Sequence, residues 1–190
     1  MNSLTLLAIA VVVVVFWIYS TYTSVIRKRN KAQEAFSSID VQLKKRYDLI
    51  PNILTIAQKY MEHERGIMEE VTKLRTQVMG LSSNFENIDR KIALDGEIAK
   101  KMGQIMVAVE NYPQLKADQT MITAMQTYNE VEEHIAAARR FYNSAANELK
   151  NAVEIFPSSL FARMLNIKTV DFIKATEQER QPIKASDFLK

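Results

Sequence analysis

The first 26 residues contain no charged side chain, and this apolar segment constrains the fold more than any other feature of the sequence. As an α-helix, the 19 residues from Leu4 to Tyr22 reach about 29 Å, roughly the thickness of a hydrocarbon core. Lipid offers no hydrogen-bond partner to an exposed backbone, so a single segment of this kind crosses a bilayer as a helix. The sequence therefore predicts one transmembrane anchor, and the lipid bilayer is the predicted partner of Leu4 to Tyr22.

Basic side chains follow the apolar segment directly and indicate its orientation. Residues 27–46 carry seven basic and two acidic side chains. Trp17, Tyr19 and Tyr22 lie at the same end of the segment, as in an interfacial aromatic belt. The positive-inside rule therefore predicts an external N-terminus and a cytoplasmic C-terminal part. A cleaved signal peptide has its basic residues before the apolar run and a small-residue cleavage site after it, so we favour an uncleaved anchor.

The composition excludes several classes of function. The net charge is +3, but the basic stretch beside the anchor accounts for the excess, so we expect no nucleic-acid-binding face. The chain has no cysteine and two histidines, which excludes disulfides, thiolate chemistry and three-histidine metal sites. Only four glycines and four prolines occur, which favours a few long helices over a turn-rich β fold. We expect no cofactor.

An apolar seam of eleven residues, spaced alternately by three and four, is the clearest periodic pattern. Its members are Met121, Ala124, Tyr128, Val131, Ile135, Ala138, Tyr142, Ala145, Leu149, Ala152 and Phe156. The seam predicts a helix over about 118–156, with Asp118 as its N-cap and Pro157 as its stop. The two tyrosines are expected to be core aromatics.

The same spacing continues through the first half of the chain. An earlier seam consists of Ala32, Phe36, Ile39, Leu43, Ile50, Ile53, Ala57, Tyr60, Glu64, Ile67, Val71, Leu74 and Val78. Gly80 stands where a C′ glycine would end a helix. A third apolar face comprises Ile88, Ile92, Ala99, Met102, Met106 and Val109. A capping box of Ser83 and Glu86 would begin this helix, and Tyr112-Pro113 would close it.

Pro51 leaves two interpretations open. A single kinked helix can run from residue 27 to 80, or a tight turn at Tyr47 to Ile50 can separate two helices, with Pro51 in the first turn of the second. We favour the turn, because the single helix would be too long for the third helix to cover. The predicted fold is all-α, with an N-terminal transmembrane helix followed by an antiparallel four-helix bundle with helices at about 27–47, 49–79, 84–111 and 118–156.

The predicted organisation has three parts: a short external N-terminus and anchor (1–26), the bundle (27–157) and a C-terminal tail (158–190). In the tail, Ser158 or Ser159 would cap a short helix through Met164. The first helix of the bundle is expected to continue from the membrane span.

Five segments of the chain resemble the LemA family of bacterial membrane proteins. They are AFSSIDVQLKKRYDLIPNIL, KYMEHE, VENYPQLKA, AAARRFYNSA and IFPSSLFA, which begin at residues 35, 59, 109, 136 and 155. The family usually has Trp where Phe36 stands here. The resemblance implies a single N-terminal span, an outside N-terminus, a four-helix bundle and a bacterial plasma membrane location. It implies no catalytic activity, and it suggests a membrane protease system as a candidate partner.

The two histidines do not match known metal motifs. His63-Glu64 resembles the start of a zincin motif, but Ile67 stands where the second histidine is needed. A Glu-x-x-His di-iron motif would need a carboxylate three residues before each histidine, where Tyr60 and Val131 stand. Glu64 occupies a seam position, so we expect a cationic partner such as Arg139.

Two basic runs are expected to be solvated surface. For Lys44, Lys45 and Arg46 the alternatives are contact with anionic lipid or with an acidic partner. For Arg139 and Arg140 beside Asn143, the alternative is a binding patch. The candidate interaction or family-motif residues are Asp40, Lys45, Arg46, Asp48, Pro51, His63, Glu64, Arg139 and Asn143.

The sequence therefore predicts a protein without catalytic activity that acts as an adaptor or scaffold for another membrane or cytoplasmic protein. The alternative is a self-assembling structural protein of the membrane, because long apolar seams can close within one chain or between chains. The sequence does not decide the oligomeric state.

Overall fold

A computed structural model of the protein describes residues 2–82 and 87–173, and all regular structure in these two ranges is helical. The helices are α1 (Ser3–Ala57), α2 (Arg65–Met79), α3 (Ile88–Val109), α4 (Pro113–Lys116), α5 (Gln119–Glu154) and α6 (Ser158–Met164). The all-α prediction is confirmed. The predicted capping box of Ser83 and Glu86 and the tail beyond residue 173 lie outside the described residues.

The chain divides into two compact units, and α1 and α5 contribute to both. Among the described residues, the first unit contains 2–44 and 131–172, while the second contains 45–82, 87–130 and residue 173. In the first unit, the apolar seam is buried as predicted at Ala32, Phe36, Ile39 and Leu43. The ring of Phe36 lies 6.5 Å from that of Tyr142, and Lys31 Nζ donates to Glu148 Oε1 at 2.8 Å.

The N-terminal part of α1 is long and apolar enough to cross a membrane. Residues 2–20 are all exposed, and burial on α1 begins at Thr21 and is complete at Val25. The helix continues from this apolar segment without a break, as expected. The apolar segment therefore projects from the packed part of the first unit.

The predicted turn at Tyr47 to Ile50 is wrong, because α1 continues through Pro51 to Ala57. A proline lacks the N–H that would bond to the carbonyl four residues earlier, which here is that of Tyr47. Arg75 of α2 supplies the missing donor, with its Nε 2.6 Å from the Tyr47 carbonyl oxygen. The chain turns instead at residues 58–64, before α2 begins at Arg65.

This later turn changes which residues of α2 are buried. Met68, Val71 and Val78 face the core, and Glu64 precedes the helix as its N-cap without a capping hydrogen bond from its side chain. The seam position predicted for Glu64 is therefore wrong. Gly80 ends α2 as predicted, although its φ of −76° is right-handed and not the left-handed value of a C′ glycine.

The ends of α3 and α5 follow the predicted signals. The third helix closes at Val109, before Tyr112-Pro113 begins the short α4. Asp118 caps α5, because its Oδ1 accepts hydrogen bonds from the amides of Thr120 at 2.8 Å and Met121 at 3.2 Å. These two bonds to the charged form lower the pKa of the Asp118 carboxyl. Nine of the eleven seam residues of α5 are buried; Ala124 is half-buried and Phe156 is exposed.

The short helix α6 ends at Met164, as predicted, but its cap differs. Ser158 is its first residue and donates its hydroxyl to the Ile155 carbonyl at 2.9 Å, so neither Ser158 nor Ser159 is the N-cap, which is Pro157. The helix terminates in a Schellman motif. Asn166 adopts the left-handed conformation with φ 50°, and the amide of Ile167 bonds to the Ala162 carbonyl at 2.9 Å.

Candidate functional site

Three charged side chains are buried among the described residues, and all lie in the second unit. They are Arg46 on α1 and Lys91 and Asp95 on α3. Arg46 is only 1% exposed because it stands three residues after Leu43 and four before Ile50, on the buried face of α1. The expectation that Arg46 belongs to a solvated basic surface is therefore wrong, whereas Lys44 and Lys45 are exposed.

Arg46 and Asp95 form a buried ion pair. Nη1 of Arg46 lies 2.7 Å from both carboxylate oxygens of Asp95, and both side chains are 1% exposed. Removing two charges from water is costly, and the pair offsets that penalty only while both partners are present. Because Arg46 engages both oxygens of Asp95, the pair joins α1 to α3 and does not present a carboxylate to a ligand.

Tyr128 of α5 completes this cluster. The guanidinium carbon of Arg46 lies 5.5 Å from the centre of the Tyr128 ring, within the range of a cation–π interaction. The Tyr128 hydroxyl is buried and has no hydrogen-bond partner among the described residues. Burial raises the pKa of the Tyr128 hydroxyl to about 12, since the phenolate would be poorly solvated there. The cluster thus connects α1, α3 and α5 through one guanidinium.

A surface groove lies elsewhere in the second unit. Its volume is about 290 Å³, and its lining residues are Tyr60, Asn111, Tyr112, Pro113 and Gln114. The Tyr60 hydroxyl lies 3.5 Å from Oδ2 of Asp118, at the outer limit of a hydrogen bond, so the turn after α1 lies close to the start of α5. Two of the segments that resemble the LemA family, KYMEHE and VENYPQLKA, meet at this groove.

The predicted candidate residues fall in both units and differ in burial. Asp48 and His63 are exposed, and Asp40, Pro51 and Glu64 are half-buried. Arg139 and Asn143 are half-buried on α5 within the first unit, while Arg140 is exposed. Glu64 makes no ion pair in the part of the chain that the structure describes, so the expected cationic partner is not found there.

Asp95 and Arg75 are functional side chains of this unit that were not predicted from the sequence. The spacing of the third apolar face could have identified Asp95. It lies three residues after Ile92 and four before Ala99, and therefore at a position of that face expected to be buried. Arg46 fills the corresponding gap between Leu43 and Ile50. Opposite charges at seam positions of two different helices are a recognisable pattern for a buried ion pair. No sequence signal identifies Arg75, because its acceptor is a backbone carbonyl 28 residues away.

No group of three or more His, Asp and Glu side chains within residues 2–82 and 87–173 is arranged to hold a metal ion. The buried charges are those of the Arg46–Asp95 pair and Lys91, and the groove is lined by aromatic, proline and amide side chains. The geometry of this unit is therefore that of helix packing combined with a surface groove.

Comparisons with known proteins identify the family of this chain. The model of the LemA family matches residues 35–186. Protein LemA of Metamycoplasma hominis is 24% identical over 164 residues, which cover 85% of this chain and 73% of that protein. Magnetosome protein MamQ 2 of Paramagnetospirillum magneticum is 20% identical, with 92% of this chain and 72% of that protein covered. Magnetosome protein MamQ of Magnetospirillum gryphiswaldense is 21% identical, with 94% and 75% covered. Since the family model matches most of its length, this chain belongs to the LemA family.

Proposed function

We propose that this chain is a membrane-anchored adaptor without catalytic activity, which holds a protein partner at the bacterial plasma membrane. The continuity of α1 carries the proposal. The helix contains the apolar segment that can cross a membrane and continues from it without a break to Ala57. The packed residues of α1, which begin at Val25, are therefore joined to the anchor by helix and not by a flexible linker.

The adaptor's partner-binding part is an antiparallel four-helix bundle within the second unit, composed of α1 from residue 45, α2, α3 and α5 up to residue 130. Support comes from the contacts of α1 with the other three helices. Arg75 of α2 bonds to the Tyr47 carbonyl, and Arg46 contacts Asp95 of α3 and Tyr128 of α5. The connection at residues 58–64 is short, which favours antiparallel neighbours.

The groove beside Tyr60 and Tyr112 is the surface that the adaptor offers to its partner. Tyrosine side chains provide large, rigid contact area with a polar end, and they are enriched at protein interfaces. The groove has room for a few side chains and lies in the second unit, where it is lined by residues 60 and 111–114. The basic residues beside the anchor favour the cytoplasmic side for this surface.

Site-specific photocrosslinking in intact cells tests the proposal. A photoreactive amino acid at Gln114 lies in the groove, and one at Glu97, exposed on α3 of the same unit, is the matched control. We expect one product of defined mass from Gln114 and none from Glu97, and we expect Tyr112→Ala to abolish it. The same partner should co-purify with the wild-type chain in a constant ratio. A membrane protease system is the first partner class to examine.

Two results would overturn the adaptor proposal. If neither position gives a product and no protein co-purifies in a constant ratio, the adaptor role is wrong. If the product has twice the mass of the chain, the long seams of α1 and α5 favour the alternative of a self-assembling structural membrane protein.

A further inference from the structure

Four large apolar side chains are exposed within the ten residues 155–164, which follow α5 in the first unit. Ile155 is 58% exposed, Phe156 72%, Leu160 53% and Met164 81%. Leu160 and Met164 are one turn apart on α6, so they share a face, while Ala162 of the same helix is fully buried. Single exposed apolar residues are ordinary, but a cluster of this kind marks a contact surface.

The position of this cluster follows from contacts between α1 and α5 within the first unit. Phe36 packs near Tyr142 and Lys31 pairs with Glu148, so residue numbers fall along α1 as they rise along α5. From the Lys31–Glu148 pair, six residues remain to the end of α5 at Glu154. Six residues in the opposite direction along α1 lead from Lys31 to Val25. Six residues correspond to a rise of about 9 Å on each helix. The end of α5 is therefore level with Val25.

Val25 is three residues beyond the apolar segment that ends at Tyr22, or about 4.5 Å along the helix. It is fully buried, and it is the first buried residue on α1. After α6 the chain returns along α5, because the Tyr142 hydroxyl donates to the Asp171 carbonyl at 3.0 Å. Helix α6 therefore lies at the end of the unit from which the apolar segment emerges.

The charges of this segment suit a lipid surface. Between residues 155 and 170 the charged side chains are Arg163 and Lys168, both exposed, and no acidic residue occurs. Arg27 and Arg29 are exposed on α1 near the same level. Basic residues next to exposed apolar side chains are typical of elements that lie in the interface of a membrane with anionic lipids.

We infer that residues 155–164, with α6 at their centre, form a second membrane contact that inserts Phe156, Leu160 and Met164 into the leaflet from which α1 emerges. The inference rests on the membrane anchorage within the proposed function. A single span leaves tilt and rotation to its surroundings. A second contact beside the span fixes both, so that the first unit has one orientation relative to the bilayer. The recognised surface is a bilayer leaflet that contains anionic headgroups.

The test uses the full chain reconstituted in vesicles of phosphatidylcholine and phosphatidylglycerol. The chain has no cysteine, so single spin labels at Leu160→Cys and Met164→Cys are unambiguous. Phe141→Cys is the matched control, because Phe141 is also a large exposed apolar residue of the first unit, but it lies on α5 about 20 Å before the end of that helix at Glu154. We expect collisions with a water-soluble nickel chelate to be several-fold less frequent at positions 160 and 164 than at 141.

A label at Val13→Cys separates this inference from the anchorage itself. If position 13 lies at acyl-chain depth while positions 160 and 164 are as accessible to the chelate as position 141, the second contact is absent and the anchor remains. If position 13 is also accessible, the anchorage is wrong. Spin–spin broadening at position 160 that disappears on dilution with unlabelled chain would assign the surface to a second copy and overturn the inference.

Charge variants test the lipid recognition. In vesicles that contain phosphatidylglycerol, Arg163→Glu combined with Lys168→Glu should move the label at position 160 toward water. In phosphatidylcholine alone, the same change should have a much smaller effect, because the surface charge is absent. Equal behaviour in both vesicles would contradict recognition of anionic headgroups.

Discussion

At the residue scale, the Arg46–Asp95 pair determines whether α1 can keep a guanidinium in the core. An arginine that is 1% exposed is tolerated only when its charge is matched by an opposite charge. Asp95 provides that match from 49 residues away in sequence. We therefore expect the pair to favour one alignment of α1 against α3.

Asp95→Ala should destabilise the protein strongly, because it leaves the Arg46 charge buried without its counter-ion. We expect a loss of about 3–5 kcal/mol in the free energy of unfolding, measured by urea titration of the detergent-solubilised chain with far-UV circular dichroism. Asp89→Ala, an exposed change on the same helix, is the control and should have little effect. The double variant Arg46→Met/Asp95→Leu should recover most of the loss. If Asp95→Ala lowered the free energy of unfolding no more than Asp89→Ala does, the ion pair would not stabilise the buried Arg46.

Removing the hydroxyl of Tyr128 and that of Tyr142 should change the free energy of unfolding in opposite directions. The Tyr128 hydroxyl is buried without a hydrogen-bond partner among the described residues, whereas that of Tyr142 donates to the Asp171 carbonyl. Tyr128→Phe should therefore raise the free energy of unfolding by about 1–2 kcal/mol. Tyr142→Phe should lower it by about 1 kcal/mol. The same urea titration measures both, and effects of equal sign would contradict the assigned environments.

Tyr128 should also make stability depend on alkaline pH. The pKa of its hydroxyl is raised to about 12 in the folded chain, compared with about 10 in an unfolded one. A group with a raised folded pKa contributes stability that is fully present below about pH 10 and is lost as the pH rises through about 12. Between these values the wild type should lose stability that Tyr128→Phe keeps, because the variant has no hydroxyl to ionise at this position. Parallel profiles for the two chains would show that Tyr128 does not titrate in this way.

At the scale of the helix, the effect of Pro51 on α1 is linked to Arg75 of α2. The proline removes the donor to the Tyr47 carbonyl, and Arg75 replaces it from α2. Thr55 also donates its hydroxyl to the Pro51 carbonyl at 2.8 Å, which adds a local bond in the same turn. The continuity of α1 through a proline thus depends on a side chain from a neighbouring helix.

A double-mutant cycle tests this dependence. Arg75→Leu should lower the free energy of unfolding by about 1–3 kcal/mol, because the Tyr47 carbonyl loses its donor. In a Pro51→Ala background the same change should be much milder, since the alanine amide bonds to that carbonyl. Lys73→Leu, an exposed change on α2, is the control. Equal losses in both backgrounds would show that Arg75 does not compensate for Pro51.

At the scale of the whole molecule, the basic residues beside the anchor predict its topology. Ser3→Cys and Ser144→Cys place single thiols before the span and on the exposed surface of α5. In intact cells, a thiol reagent that does not cross the inner membrane should label position 3 and not position 144. Permeabilised cells should label both, which controls for accessibility. Labelling of position 144 alone in intact cells would show that the predicted orientation is wrong and that α5 lies outside the cytoplasm.

The sequence alone determined the features that depend on neighbours within one or two helical turns. The apolar segment, the buried seams on α1 and α5, the end of α2 at Gly80 and the Asp118 cap were all predicted, because periodicity and capping are local. Phe156 continued the α5 seam by spacing but is 72% exposed, since burial depends on where the helix ends and what adjoins it.

Tertiary structure decided the features whose partners are distant in sequence. Whether Pro51 ends a helix depends on Arg75, which is 28 residues from the carbonyl it satisfies. Whether Arg46 is surface or core depends on Asp95, 49 residues away. Local propensity alone places Pro51 at a turn and Arg46 in solvent. The folded chain reverses both, because the Arg75 hydrogen bond offsets the donor lost at Pro51 and the Asp95 ion pair offsets the cost of burying Arg46.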